Sequence, residues 1–282
     1  MRIEARAKIN WALNVLGLLP DNYHRLDMLV QRLALSDTVE LLPAARLSIE
    51  VTSDESVPAD PSNLAYRAAM ELKLISGYKG GARIKLSKRI PALAGLGGGS
   101  ADAAAVLEGL NELWGLDFKQ NTLMEVGRRL GADVPLCLFQ GLMRAGGIGD
   151  EIKPLSGGKQ LHLLLLKPVE GLSSREVFQS YDEAPDPLTA DITAASIALR
   201  KGDLEGMKAT CYNQLQETAI RLLPGIRAAL EALTVQGAVF AQMSGSGSAV
   251  FGVFQTEAAA KEAETALSPA WPVCLATHTR SY

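Results

Sequence analysis

Apolar and charged residues alternate along the first nine positions, with Ile3, Ala5, Ala7 and Ile9 set against Arg2, Glu4, Arg6 and Lys8. Successive side chains of a strand point to opposite faces, so this pattern predicts a strand with one buried face and Lys8 on the solvated one. NWALNVLG (10–17) extends that strand, and LLPDNYH (18–24) breaks it, because Pro20, Asp21 and Asn22 carry turn chemistry. Residues 28–42 read as further strand, 52–63 as loop and 64–75 as helix. A second alternation places Ala82, Ile84, Leu86 and Ile90 on a buried face against Arg83, Lys85, Ser87 and Arg89. Lys88 breaks it, a charge at a buried-parity position just before a glycine-rich stretch. A polar pocket wall explains that, and so does fraying at the strand end.

Beyond PALAGLGGGSADAAA (91–105), Val106, Leu107, Leu110, Leu113 and Trp114 fall at helical spacing, with Ser100 a natural N-cap and Asp102 in the first turn. LSGGKQ (155–160) is the best punctuation between two domains, 1–155 and 156–282. A buried-type strand (161–166), a Pro-rich loop (183–190) and two helical stretches follow. Strands then flank MSGSGS (243–248), and a helix (257–267) precedes a last strand (273–277).

Composition narrows the function classes. The chain has 282 residues, 48% hydrophobic and 21% charged, with net charge −3, and is long enough for two domains of about 150 residues each. No basic stripe appears, which argues against nucleic acid. The longest apolar cluster, LHLLLL, is far short of the ~20 residues of a membrane helix. Cys137, Cys211 and Cys274 are scattered and read as small buried hydrophobes of a reducing compartment; the N-terminus does not read as a signal peptide, so the cytoplasm is expected. His162 and His278 fall in strands and read as structural.

The chemistry concentrates in the glycines. A glycine costs roughly 0.5–1 kcal/mol relative to alanine in regular structure, so four in five positions suggest a purpose. Strand, glycines, then helix start presents free N–H groups to an anion. The dinucleotide fingerprint fails because Gly95 and Gly97 are followed at the third position by Ser100, and the Walker pattern fails for want of Gly-Lys-Ser/Thr. A bare turn needs fewer glycines, so phosphate binding is favoured.

The stretch at 91–105 resembles the phosphate loop of the GHMP kinases. AKINWALNVLG (7–17), PDNYHRLDMLVQRLALSD (20–37), LGADVP (130–135) and MSGSGSAVFG (243–252) extend the resemblance over nearly the whole chain. They point to the branch that acts on a cytidine-diphosphate-linked methylerythritol in non-mevalonate isoprenoid synthesis. The resemblance implies an α+β, two-domain GHMP kinase fold: a ribosomal S5 domain 2-like N-terminal domain and a ferredoxin-like C-terminal domain.

It further implies ATP as the phosphoryl donor, with magnesium carried by the nucleotide beside Ser100 and no metal site of the protein's own. Asn63, Lys88, Pro91, Gly95, Leu96, Gly97, Gly98, Gly99, Ser100 and Ala101 match its nucleotide positions. Asp133 matches its catalytic base, although an N-cap before Pro135 is the commoner local reading. Lys8 matches the cation that keeps that aspartate ionised. Asn10, Tyr23, His24, Ser174 and Phe178 match its alcohol- and cytidine-binding positions, an aromatic stack with an imidazole to read the base edge. MSGSGS would pack against the first loop, although a tight hairpin also explains it. Asn22 for a usual glycine, Trp11 for leucine, Ala101 for serine, Asp150 for glutamate and Ser174 for threonine are mild departures. The partners implied are the small-molecule substrate and ATP, with no nucleic acid or membrane, and a monomer or weak homodimer. Another small-alcohol kinase of the family and a catalytically silent nucleotide-binding protein remain the alternatives.

Overall fold

The computed structural model describes residues 1–20 and 22–280. Of the expected turn, Asp21 lies outside the described residues, and Asn22 adopts the left-handed backbone (φ 63°) that asparagine tolerates. The chain forms two compact units, and both draw on discontinuous stretches. Gln140–Tyr282 falls in one unit, so no break in compactness coincides with the glycines at 157 and 158. Strands β1 (Arg2–Leu18) and β2 (His24–Ala44) pair with one another, and each contributes residues to both units.

Unit one comprises Met1–Ala7, Leu35–Ala92 and Gly97–Phe139. Here β3 (Ser48–Thr52) and β4 (Gly81–Ser87) pair in parallel, and β4 lies antiparallel to β2 with Thr38 opposite Ser87 and Ala44 opposite Gly81. Ala82, Ile84 and Leu86 are buried as the alternation predicts. Helix α1 (Leu64–Ser76) packs on α2 (Gly98–Leu113), and α2 buries four alanines, which allow close approach. At Gly109 an added Cβ would stand 2.4 Å from Ile3 Cδ1 and 2.5 Å from Leu41 Cδ1, so a side chain there would push the helix off its neighbours. The short helix α4 (Val134–Cys137) follows α3 (Gln120–Leu130).

Unit two comprises Lys8–Ala34, Leu93–Leu96 and Gln140–Tyr282. In it β2 pairs with β5 (Leu142–Gly146), and β5 with β6 (Glu151–Leu155), both antiparallel. β7 (His162–Lys167) precedes five helices: α5 (Ser174–Glu183), α6 (Ile192–Lys201), α7 (Leu204–Thr210), α8 (Gln216–Leu222) and α9 (Gly225–Val235). Strands β8 (Phe240–Met243) and β9 (Val250–Phe254), helix α10 (Glu257–Leu267) and β10 (Val273–His278) complete the chain. The second sheet runs β10-β7-β9-β8, wholly antiparallel, with α9 and α10 packed on it. His162 and His278 are paired across β7 and β10. Cys137 and Cys211 are buried, whereas Cys274 is half-buried. No helix among the described residues is long and apolar enough to cross a membrane.

Two sequence expectations fail locally. Lys8 is not on a solvated face: every residue from Ala7 to Asn14 is buried, because β1 is covered on both sides there. Ser100 does not cap α2 and Asp102 is not in its first turn. The helix begins at Gly98 and is entered through Gly97, whose left-handed backbone (φ 70°) sets the start three residues earlier.

Candidate active site

Glycine is required at two points of the loop by backbone shape, since Gly95 and Gly97 both have φ near +70°. No side chain caps α2. The N–H groups of its first residues, Gly98, Gly99 and Ser100, therefore have no partner within the helix and form a positive end. Pro91 and Ala101 in unit one and Leu96 in unit two are buried, and Ala101 N–H makes the first helical bond, to Gly97 O at 2.9 Å.

Directly beneath lies a buried charge cluster in unit one. Lys88 Nζ is held by Asp102 (2.5 Å) and by Asp37, and Asp37 also accepts the N–H groups of Arg89 (2.5 Å) and Ile90 (2.8 Å). An added Cβ on Gly98 would stand 3.5 Å from Lys88 Nζ, so the ammonium is adjacent to the helix start. Burial drives the Asp102 carboxyl up to about 7, against the pull of Lys88 and with a further push from Asp37. Its Oδ1 is buried without a hydrogen-bond partner. Burial alone would lower the Lys88 ammonium, and the charges of Asp102 and Asp37 reverse this and raise it. Lys88 follows the last residue of β4, and its ammonium is taken up by this ion cluster. Asn63 caps α1, accepting from Ala65 N–H at 3.0 Å and donating to Pro58 O at 2.7 Å.

In unit two a second glycine turn meets the start of the loop. Ser244 Oγ donates to Gly95 O (3.1 Å) and accepts Asn10 N–H (3.3 Å), and Ala249 N–H donates to Ala94 O (3.2 Å). Lys8 N–H donates to Leu96 O (2.9 Å). A Cβ on Gly95 would come within 2.2 Å of Ser244 O, so MSGSGS packs backbone to backbone on residues 94–95. Lys8 Nζ donates to Asn10 Oδ1 at 2.7 Å, and a Cβ on Gly245 would be 3.3 Å from both atoms. The ammonium and the amide thus share one buried niche, lined by bare backbone.

A third group gathers in the same unit. His24 opens β2, with Tyr23 exposed just before it. Phe178 stacks on the His24 ring at 4.6 Å and 22°, and Asp182 Oδ1 lies 2.7 Å from His24 Nε2. Ser174 Oγ hydrogen-bonds Ser246 Oγ at 2.7 Å. In unit one Asp133 holds the N-cap position of α4 and makes no capping bond with its side chain, so the commoner local reading holds for position alone. Gly127 in α3 lets α4 come close, since a Cβ there would be 3.2 Å from Val134 Cγ1. Sequence reading missed Asp37, Asp182 and Ser244, each an ordinary polar residue whose importance arises from distant partners. Among the described residues no group of three or more His, Cys, Asp or Glu side chains is arranged to hold a metal ion.

Comparison with known proteins gives a consistent result. The family model described as "GHMP kinases N terminal domain" matches residues 63–141, and that described as "GHMP kinases C terminal" matches 195–273. A 4-diphosphocytidyl-2-C-methyl-D-erythritol kinase from Moorella thermoacetica is 40% identical over 283 aligned positions, 99% of each chain. One from Pelotomaculum thermopropionicum is 41% identical over 88% of this chain and 87% of its own. The crystal structure of a 4-(cytidine 5'-diphospho)-2C-methyl-D-erythritol kinase superposes over the whole of both chains with a TM-score of 0.85 at 32% identity. That of L. major mevalonate kinase in complex with R-mevalonate shares the fold at a TM-score of 0.75 and 16% identity, covering 100% of this chain and 96% of its own.

Proposed function

The chain belongs to the GHMP kinases, among relatives named 4-diphosphocytidyl-2-C-methyl-D-erythritol kinase, and from that premise we propose that it phosphorylates the 2-hydroxyl of 4-diphosphocytidyl-2-C-methyl-D-erythritol with ATP. The observation that carries this reading is the 40% identity to such a kinase across 99% of both chains. The reaction belongs to the non-mevalonate route to isoprenoid precursors, and its setting is the cytoplasm.

Phosphoryl transfer to an alcohol needs positioning and charge stabilisation more than covalent help. Asp133 takes the hydroxyl proton, the freed oxygen bonds to the terminal phosphorus, and the bridging bond breaks to release ADP. Lys8 favours the ionised aspartate and steadies the oxygen, and its pairing with Asn10 supports that role by fixing the ammonium. The uncapped start of α2 receives the phosphates on the N–H groups of Gly98, Gly99 and Ser100. Leu96 and Ala101 wall the loop, and Pro91, Lys88 and Asn63 shape the nucleotide side. Tyr23, His24 and Phe178 receive the cytosine, and Ser174 lies beside them. Magnesium, carried by ATP, would offset the charge of its phosphates.

Purified protein should release ADP with the cytidylylated alcohol and not with mevalonate, homoserine or galactose. Turnover of one of those three instead would assign it to another branch, and none at all would leave a nucleotide-binding protein.

A further inference from the structure

We propose that Asp182 is a positioning residue that fixes the tautomer of His24 and so makes the base site select cytosine over uracil. The inference rests on the proposed function, which puts a cytidine diphosphate against this residue. Phe178 and Asp182 are four positions apart in α5, hence on one face of that helix. From that face Phe178 covers the imidazole at 4.6 Å and 22°, while Asp182 Oδ1 stands 2.7 Å from Nε2. The helix start that supports both is itself fixed by a capping box between Ser173 and Glu176. His24 is thereby held in plane and in rotation, its side chain only 9% exposed, although Asp182 is 45% exposed.

A carboxylate accepts and cannot donate, so in the neutral ring it requires the proton on Nε2. Nδ1 is then a lone-pair acceptor, and no hydrogen bond to it is formed among the described residues. Cytosine presents an amino donor at the position where uracil presents a carbonyl acceptor. An imidazole locked as an acceptor pairs with the first and faces the second lone pair to lone pair. A site built to hydrogen-bond one group discriminates strongly against an analogue that cannot supply it. Without Asp182 the ring could move its proton to Nδ1 and accept uracil equally well.

The test compares kcat/KM for the cytidine- and uridine-diphosphate-linked alcohols in the full chain and in Asp182→Ala, Asp182→Asn and Asp182→Glu. We expect Asp182→Ala to lower kcat/KM for the cytidine substrate about tenfold, the size of one hydrogen bond to a charged group, mostly through KM. The cytidine-to-uridine ratio should narrow, the KM for ATP should hold, and Asp182→Glu should recover much of the ratio. Nitrogen NMR of the wild-type imidazole should show the Nε2–H tautomer. A ratio unchanged in Asp182→Ala, or a ring protonated at Nδ1 alone, would overturn the inference while leaving the kinase reading intact. A wild-type chain that turns over neither alcohol would overturn both.

Discussion

Gly99→Ala separates what the phosphate loop needs in order to fold from what it needs in order to bind. Gly99 is the second residue of α2 and has no positive φ. A Cβ built on it meets nothing within 4 Å. Its neighbours differ: Gly95 and Gly97 require left-handed backbone, and a Cβ on Gly98 would press to 3.0 Å from Ile90 Cγ2. Folding alone therefore has no use for glycine at 99. Alanine in its place should stabilise the protein by about 0.5–1 kcal/mol, since glycine loses the most backbone freedom on ordering. For a chain of this size that is a rise in Tm of roughly 1–3 °C.

The same methyl group stands on the turn whose N–H groups are proposed to hold the phosphates at about 2.9 Å. Displacing an oxygen from one such contact forfeits roughly 1.5–3 kcal/mol, the range for hydrogen bonds to charged groups. The KM for ATP should accordingly rise tenfold or more, with the KM for the alcohol little changed. Thermal melts and ATP titrations at saturating alcohol measure the two effects separately. A variant that gains stability and keeps its KM for ATP would refute phosphate binding at this backbone.

Asp133→Asn removes the proton acceptor while preserving shape, so turnover should collapse while ATP affinity, measured by calorimetry, stays within about twofold; undiminished turnover would take Asp133 out of the mechanism. Asp37→Ala strips three donors of their acceptor and leaves Lys88 with one partner, so urea titration should show a loss of about 3–5 kcal/mol, and a loss under 1 kcal/mol would show that the cluster is loosely coupled. Asp102 has its pKa raised from 3.8 to about 7, so the folded state holds this proton more tightly than the unfolded chain does. Its contribution is fully present below about pH 4 and is lost as pH climbs towards 7, after which the loss levels off. Stability profiles of the wild type and Asp102→Asn should therefore diverge across that window, and parallel profiles would count against a raised carboxyl.

The alternation that located β4 works because one face of that strand is wet, as its exposed Arg83 shows. The same rule misplaced Lys8, because period-two patterning cannot register a strand buried on both faces. Nothing in residues 7–14 other than Lys8, Asn10 and Asn14 departs from apolar character, and such isolated polar residues in a covered strand are where a site belongs. The cap preference failed at Ser100 for a related reason. A helix start that receives an anion, as proposed for α2, has to leave its N–H groups unclaimed, and a left-handed glycine enters it here in place of a serine that would occupy them. Local rules break where binding competes with them. The break at Lys88 was visible in sequence, yet its partners stand 51 and 14 positions away and could not be read from spacing. Those partners also shift the electrostatic account of the loop. With two carboxylates on one ammonium, the cluster beneath α2 carries a net negative charge whenever Asp102 is ionised, which would repel a polyphosphate. A carboxyl raised towards neutrality by burial would remove that obstacle, and on the proposed reading the attraction would come from main-chain dipoles at the helix start and not from Lys88.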